Sequence, residues 1–285
     1  MNFRFGILAI VIFPVFSAEG QQQKDREERE LSGPVHIVKI KTESIFSVPG
    51  EKPIDGGWVP SITTFDRAGN VVEGVDYNEK GEVDQRSVGE VDRSGNKIKE
   101  KHFDAEGRLL YTFTWSYDDD GNQIEIKDVS ADGTVTSWTK VYYDQSGKEI
   151  SHSCLGKDGV VSSITEVSYD QNGKVIGESW YYIDNLEQQG RSVTSYKNGG
   201  KTEEIQTFGP SGDPEYRYIS SDDEKNKHTE ESYDGTGKLI SKQAYELTRN
   251  DKGNWITETC SEWELKDNEL VLLRKVKTTR TITYF

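Results

Sequence analysis

The residues able to do chemistry are scattered along the chain. Histidine occurs at His36, His102, His152 and His228, without the spacing that gathers metal ligands. The run Asp118-Asp119-Asp120-Gly121-Asn122 offers half of a calcium loop. Such loops need oxygens at several alternating positions and a bidentate acid, and the same slot in neighbouring stretches is an ordinary turn. Serine, histidine and aspartate are all present, but no G-x-S-x-G nucleophile turn occurs. No glycine-rich phosphate loop opens a helix. The 50 acids are spread over turns and alternating positions, which is the pattern of a solvated surface. These features predict no catalytic residue, no metal site and no cofactor, and so no enzyme.

Aromatic side chains are the groups that remain for binding. Trp115, Trp138, Tyr142 and Trp180 are the candidates. Trp138 and Tyr142 alternate with Val135, Val141 and Tyr143, so they belong to the opposite, exposed face of a strand. Rings on a flat sheet stack on sugars or anchor a partner protein. The competing reading is that a thin sheet uses large rings to cover itself.

The elements that must position these rings are visible in the glycines. Gly69, Gly81, Gly95, Gly107, Gly121, Gly133, Gly147, Gly159 and Gly173 stand 12 and 14 residues apart in strict alternation. The unit is therefore 26 residues, two strands and two turns. Most of these glycines close a four-residue turn opened by aspartate, as in Asp66-Arg67-Ala68-Gly69 and Asp144-Gln145-Ser146-Gly147. The aspartate accepts backbone N–H groups within the turn. Glycine takes the left-handed conformation that ends a type I turn with a G1 bulge. Gly69, Gly95, Gly121, Gly147 and Gly173 are accordingly structural turn residues.

Between turns the chain alternates. Leu109, Tyr111, Phe113, Trp115 and Tyr117 point one way, and Leu110, Thr112, Thr114 and Ser116 the other. Positions also match between units: Val72, Ile98, Ile124, Ile150 and Ile176 each lie three residues after a turn glycine. Such ladders are expected to pair across strands. The predicted fold is all-β, tandem antiparallel hairpins forming a long twisted or spiralling meander. A rolled barrel or a propeller remains open, because periodicity does not fix curvature.

The ends differ. A basic start, an apolar stretch from Phe5 to Phe16 and small residues at Ser17, Ala18 and Gly20 read as a secretory signal peptide over 1–20. An uncleaved anchor would need ~20 apolar residues. Residues 21–32 form a flexible leader, 33–62 an amino-terminal capping strand and loop, 63–254 the hairpin repeats, and 255–285 the carboxy-terminal capping strands. The expected location is secreted or periplasmic. Cys154 and Cys260 occupy the same phase of the repeat, eight strands apart, or ~38 Å in an open sheet. A disulfide needs Cα atoms within about 7 Å, so an open array forbids the bond and only a closed or rolled one permits it.

Tyr117-Asp118, Tyr143-Asp144, Tyr169-Asp170 and Tyr233-Asp234, with Phe65-Asp66 and Phe103-Asp104 as variants, carry an aromatic-Asp-x-x-Gly signature. It resembles the RHS or YD repeat, and the Leu31-Ser32-Gly33-Pro34-Val35 entry resembles the start of small secreted bacterial proteins of that kind. The likeness spans roughly 63–254. It implies a β-strand shell or rod. The long array and carboxy-terminal toxin domain of the large members are missing, so their encapsulating role does not carry over.

A formal charge of −15 disfavours nucleic acid and anionic membrane surfaces as partners. Hydrophobic residues at 33% are too few for a deep two-sided core, whereas aromatics at 11% are too many for disorder. The expected role is a non-catalytic secreted or cell-envelope scaffold that binds a carbohydrate or another envelope protein. The alternative is a structural module assembling through its sheet edges, with hydrolase a remote third.

Overall fold

The computed structural model describes residues 29–47, 60–78, 80–182, 188–224, 226–266 and 269–285. The expected signal peptide, most of the leader and the loop at 48–59 lie outside them. The strands follow the glycine punctuation. They are β1 (Val35–Ser47), β2 (Ser61–Phe65), β3 (Val71–Tyr77), β4 (Val83–Val91), β5 (Lys97–Asp104) and β6 (Leu109–Tyr117). Then come β7 (Gln123–Ser130), β8 (Val135–Tyr143), β9 (Glu149–Leu155), β10 (Val161–Tyr169), β11 (Val175–Tyr182) and β12 (Gln188–Lys197). The last six are β13 (Thr202–Phe208), β14 (Pro214–Glu224), β15 (Lys227–Asp234), β16 (Leu239–Arg249), β17 (Trp255–Lys266) and β18 (Glu269–Tyr284).

Each strand pairs antiparallel with its successor, and β1 pairs with both β2 and β18. The sheet is therefore a closed barrel of 18 strands, not the open spiralling meander expected from the sequence. The reason lies in the edges. An open array would leave the N–H and C=O groups of β1 and β18 unpaired, and closure pairs them along most of both strands.

The turns have the expected chemistry. In the Asp118 turn, Gly121 N–H donates to Asp118 O and Asp118 N–H to Asn122 O. Gly121 sits at φ +87°. Asp118 Oδ1 accepts from Asp120 N–H and Asn122 N–H, at 3.0 and 2.8 Å. One partner is not evident from the turn rule alone: Asn122 Nδ2 donates to Asp118 Oδ2 at 3.0 Å, as Asn70 does to Asp66. The carboxylate of the half calcium loop is thus engaged by its own turn.

The ladder three residues after glycine behaves differently from expectation. Its members are skipped by the register: Ser116 faces Glu125 and Tyr117 faces Gln123, which leaves Ile124 without a partner. Ile98, Ile150 and Ile176 are skipped in the same way. They are bulge residues, and Ile124, Ile150 and Ile176 are exposed. A bulge sharpens local twist and bends the strand. Repeated in successive hairpins, it supplies curvature toward closure.

The tyrosine ladder tightens one rim. Tyr117 Oη donates to Lys97 O at 2.7 Å and Tyr143 Oη to Gln123 O at 2.8 Å, each tying a hairpin to the one before it. At the same rim, where β1 meets β2 and β18, Leu31, Val35, Val38, Ile40, Phe65 and Val71 form the apolar core, with Ile282 and Tyr284 against it. Asn254 is fully buried there; its Nδ2 donates to Ser32 O and Tyr284 Oη, both at 2.9 Å. Tyr233-Asp234 falls at the opposite rim, because it ends an odd-numbered strand.

Two substitutions test this account. Gly121→Ala meets no atom within 4 Å of its new Cβ, so its cost is conformational. It should destabilise by about 1–2 kcal/mol. Phe65→Ala in the rim core should cost ~3–5 kcal/mol. Urea unfolding reads both, and a silent Gly121→Ala would contradict the left-handed turn.

Candidate functional site

Residues opposite one another in an antiparallel pair share a face, so the register assigns every side chain to the inner or outer wall. Val38, Thr63 and Phe65 are buried and define the inner side. From there the pairings carry inward Asp76, Glu100, His102, Tyr111, Phe113, Trp115 and Asp128 on β3 to β7. They carry outward Glu73, Arg86, Glu90, Lys99 and Lys101. These outward charges pair across strands, Arg86 with Glu73 at 2.6 Å and Lys101 with Glu90 at 3.3 Å. A lipid-facing barrel presents an apolar band about 25 Å tall. On β3 to β5 the middle of the outer wall is ionic.

The inner wall carries titratable groups that the sequence scatters, on the separate strands β5, β9 and β15. Three of the four histidines face it, and each meets a carboxylate. His102 Nε2 lies 2.8 Å from Glu100 Oε1, whose second oxygen takes Lys97 Nζ at 3.0 Å. His152 Nδ1 lies 2.9 Å from Glu149 Oε1. His228 sits between Asp222 and Glu230, at 3.0 and 3.2 Å. Glu100 and Glu230 lie two residues from their histidine on the same strand, and Glu149 three across the Ile150 bulge, so these contacts follow from alternation; Asp222 alone is brought in across strands. The usable signal was the alternation parity of each histidine relative to its nearest turn.

The electrostatics follow from crowding on a concave wall. Burial raises the Glu100 pKa, but hydrogen bonds from His102 and Lys97 outweigh it and bring the group to about 2. Asp76 and Glu178 lack that compensation, and burial holds both above the usual carboxylate range. The hydrogen bond to Glu230 raises His228, against the opposing effect of burial. Burial, with the charge of Glu230 nearby, pushes the phenols of Tyr218 and Tyr245 upward.

The aromatic candidates divide between the two walls. Trp115 is inner, joined to Phe113 at 5.9 Å in a chain of rings that continues through Tyr111 to His102, with Lys97 Nζ 5.5 Å from its centroid. Trp180 is inner as well, opposite Thr165 and Gly190. A Cβ on Gly190 would come within 2.3 Å of that indole, so glycine makes room for it. Trp138 and Tyr142 share the outer wall, as their alternation predicts. Tyr142 is 43% exposed. Trp138 is occupied: Lys127 and Lys140 lie over its ring at 4.2 and 5.1 Å, and Nε1 donates to Glu125 at 2.7 Å. The four aromatics therefore do not form one site. Cys154 and Cys260 both face inward as separate thiols, eight strands apart in the ring. A circular barrel of this strand number is roughly 35 Å across at ~4.8 Å spacing and ~40° tilt.

No protein-family model and no curated protein matches the chain. Among solved structures, a porin-like protein from Bacteroides uniformis is similar at 11% identity, TM-score 0.46, over 88% of this chain and 98% of that one. A protein of unknown function from Bacteroides fragilis is similar at 14% identity and TM-score 0.33, over 42% of this chain and 91% of its own. The TcdB2-TccC3 complex without its hypervariable carboxy-terminal region is similar at 11% identity and TM-score 0.23, over 73% of this chain and 15% of that one. At these values the likenesses assign neither family nor activity.

The acid–imidazole pairs give a pH signature with a definite sign. His228 has a raised folded pKa, so its contribution is full below about pH 6.5 and is lost as pH rises through the raised value. Glu100 has a lowered one, so its contribution is full above about pH 4.5 and fades as pH falls toward 2. Urea midpoints across pH should decline on both sides of that window. His228→Gln should flatten the alkaline limb alone; an unchanged limb would remove His228 from the account.

Proposed function

We propose that this chain is an exported, non-catalytic barrel scaffold of RHS-like hairpins that binds a glycan on its inner wall. The carrying observation is the placement of Trp115, Phe113, Tyr111 and Trp180 on the same concave face as Glu100, Asp128 and Glu178. Sugar rings stack on aromatic faces, and their hydroxyls donate to carboxylates. Toward the rim opposite the apolar core the inner wall is wet, with Ser137 and Cys154 exposed. Export rests on the amino-terminal leader and fits a water-facing outer wall. An assembly role would have to use something other than strand edges, since each of the 18 described strands has two neighbours.

The test is a panel of glycans and peptidoglycan fragments. Trp115→Ala should weaken the bound member by roughly five- to tenfold, while Trp138→Ala leaves it intact. Enrichment of no glycan, or loss only with Trp138→Ala, would sink the inner-wall reading.

A further inference from the structure

The outer wall is polar, with ion pairs on some strands and hydroxyls on others, and one sector concentrates both apolar side chains and lysines. Strands β17, β18 and β1 are among the longest, with 12, 16 and 13 residues. At the rim opposite the apolar core they carry a group of large apolar side chains. The register places Phe46 beside Lys275, Trp263 beside Leu272 and Leu265 beside Leu270, all on the outer face. Phe46 is 44% and Leu270 42% exposed, and Ile45 at the β1 bulge reaches 56%. Scattered apolar residues need no explanation, whereas a contiguous group marks a contact surface.

The same sector is basic. Below the apolar group, toward the middle of the wall, the outward positions of β1 and β18 hold Lys39, Lys41, Lys275 and Lys277. Glu43 is the acid among them; it pairs with Lys41 at 2.6 Å and faces Lys277. The chain as a whole has charge −15, which by itself disfavours an anionic surface. Charges beyond about 8–10 Å are largely screened at physiological salt, however. At contact the local lysines decide the sign of the interaction.

We propose that this sector docks the barrel on an anionic lipid bilayer, with Phe46, Trp263 and Leu270 entering the headgroup layer and the four lysines facing lipid phosphates. Aromatic and aliphatic side chains at a rim, with lysines set behind them, match the layered polarity of a membrane interface. Charge complementarity selects the anionic bilayer over a second copy of this chain, whose remaining outer wall is mixed in sign. The sector lies on the wall opposite to the inner-wall site, so the two readings stand or fall separately.

Co-sedimentation of the mature protein with phosphatidylcholine vesicles, and with vesicles of one part phosphatidylglycerol to two parts phosphatidylcholine, tests the proposal. Binding should require phosphatidylglycerol and bring a blue shift in tryptophan emission. Lys275→Glu with Lys277→Glu should weaken it by roughly tenfold or more. Leu270→Asp should weaken it without changing the thermal melt, and Lys99→Glu with Lys101→Glu, on a distant part of the wall, should bind as wild type. No binding, equal binding to both vesicles, or equal loss with the distant pair would overturn the proposal. So would a dimer in light scattering, without lipid, that Leu270→Asp dissolves; that result would assign the sector to a second copy.

Discussion

A sheet one layer thick has nowhere to hide its edges, and in this protein the pairing of β1 with β18 removes them. Nearly the whole of β1 is in register with β18, and three of its residues in the rim core are almost fully buried. The division into an inner and an outer wall follows from that closure. So does the sorting of charge, because alternation along each strand has functional meaning only once one face is concave. Without the seam the same hairpins would be a ribbon with two equivalent solvated faces.

Closure also explains how a chain this polar keeps a fold. Its apolar core is small and lies at one rim, around Phe65, Val35 and Ile40. Elsewhere stability comes from continuous backbone pairing and from turns whose aspartates are satisfied by backbone N–H groups and, at Asp66, Asp92 and Asp118, by a following asparagine. Tyrosines 117 and 143 add hydrogen bonds that link successive hairpins. The bulges at Ile98, Ile124, Ile150 and Ile176, the last three with exposed side chains, contribute the bend that closure requires.

The inner wall is where concavity changes chemistry. Side chains that would diverge on a flat sheet converge there. Carboxylates lose water, and three histidines find acids within hydrogen-bonding distance. The outer wall pairs its charges across strands in the open, where such pairs contribute little. The β17–β18–β1 sector stands apart, since the strands that form the seam also extend the apolar rim. One region thus both completes the fold and carries the most distinctive outer surface.

The turns, the 26-residue unit and the outward placement of Trp138 and Tyr142 were legible in the sequence, because each depends on local dihedral preference and a period of two. The spiral expected from the same reading was wrong, since curvature is a sum of small bends that no single hairpin reveals. Of the acid–histidine contacts, Glu100–His102 and His228–Glu230 are two apart on one strand and sit where alternation puts them, whereas the Asp222 contact escaped. His228 and Asp222 are neighbours across β14 and β15 through a register that only the assembled sheet fixes. Sequence by itself determined where the backbone turns and which side chains alternate. Tertiary structure decided which face became the inside, because that depends on the first strand meeting the last.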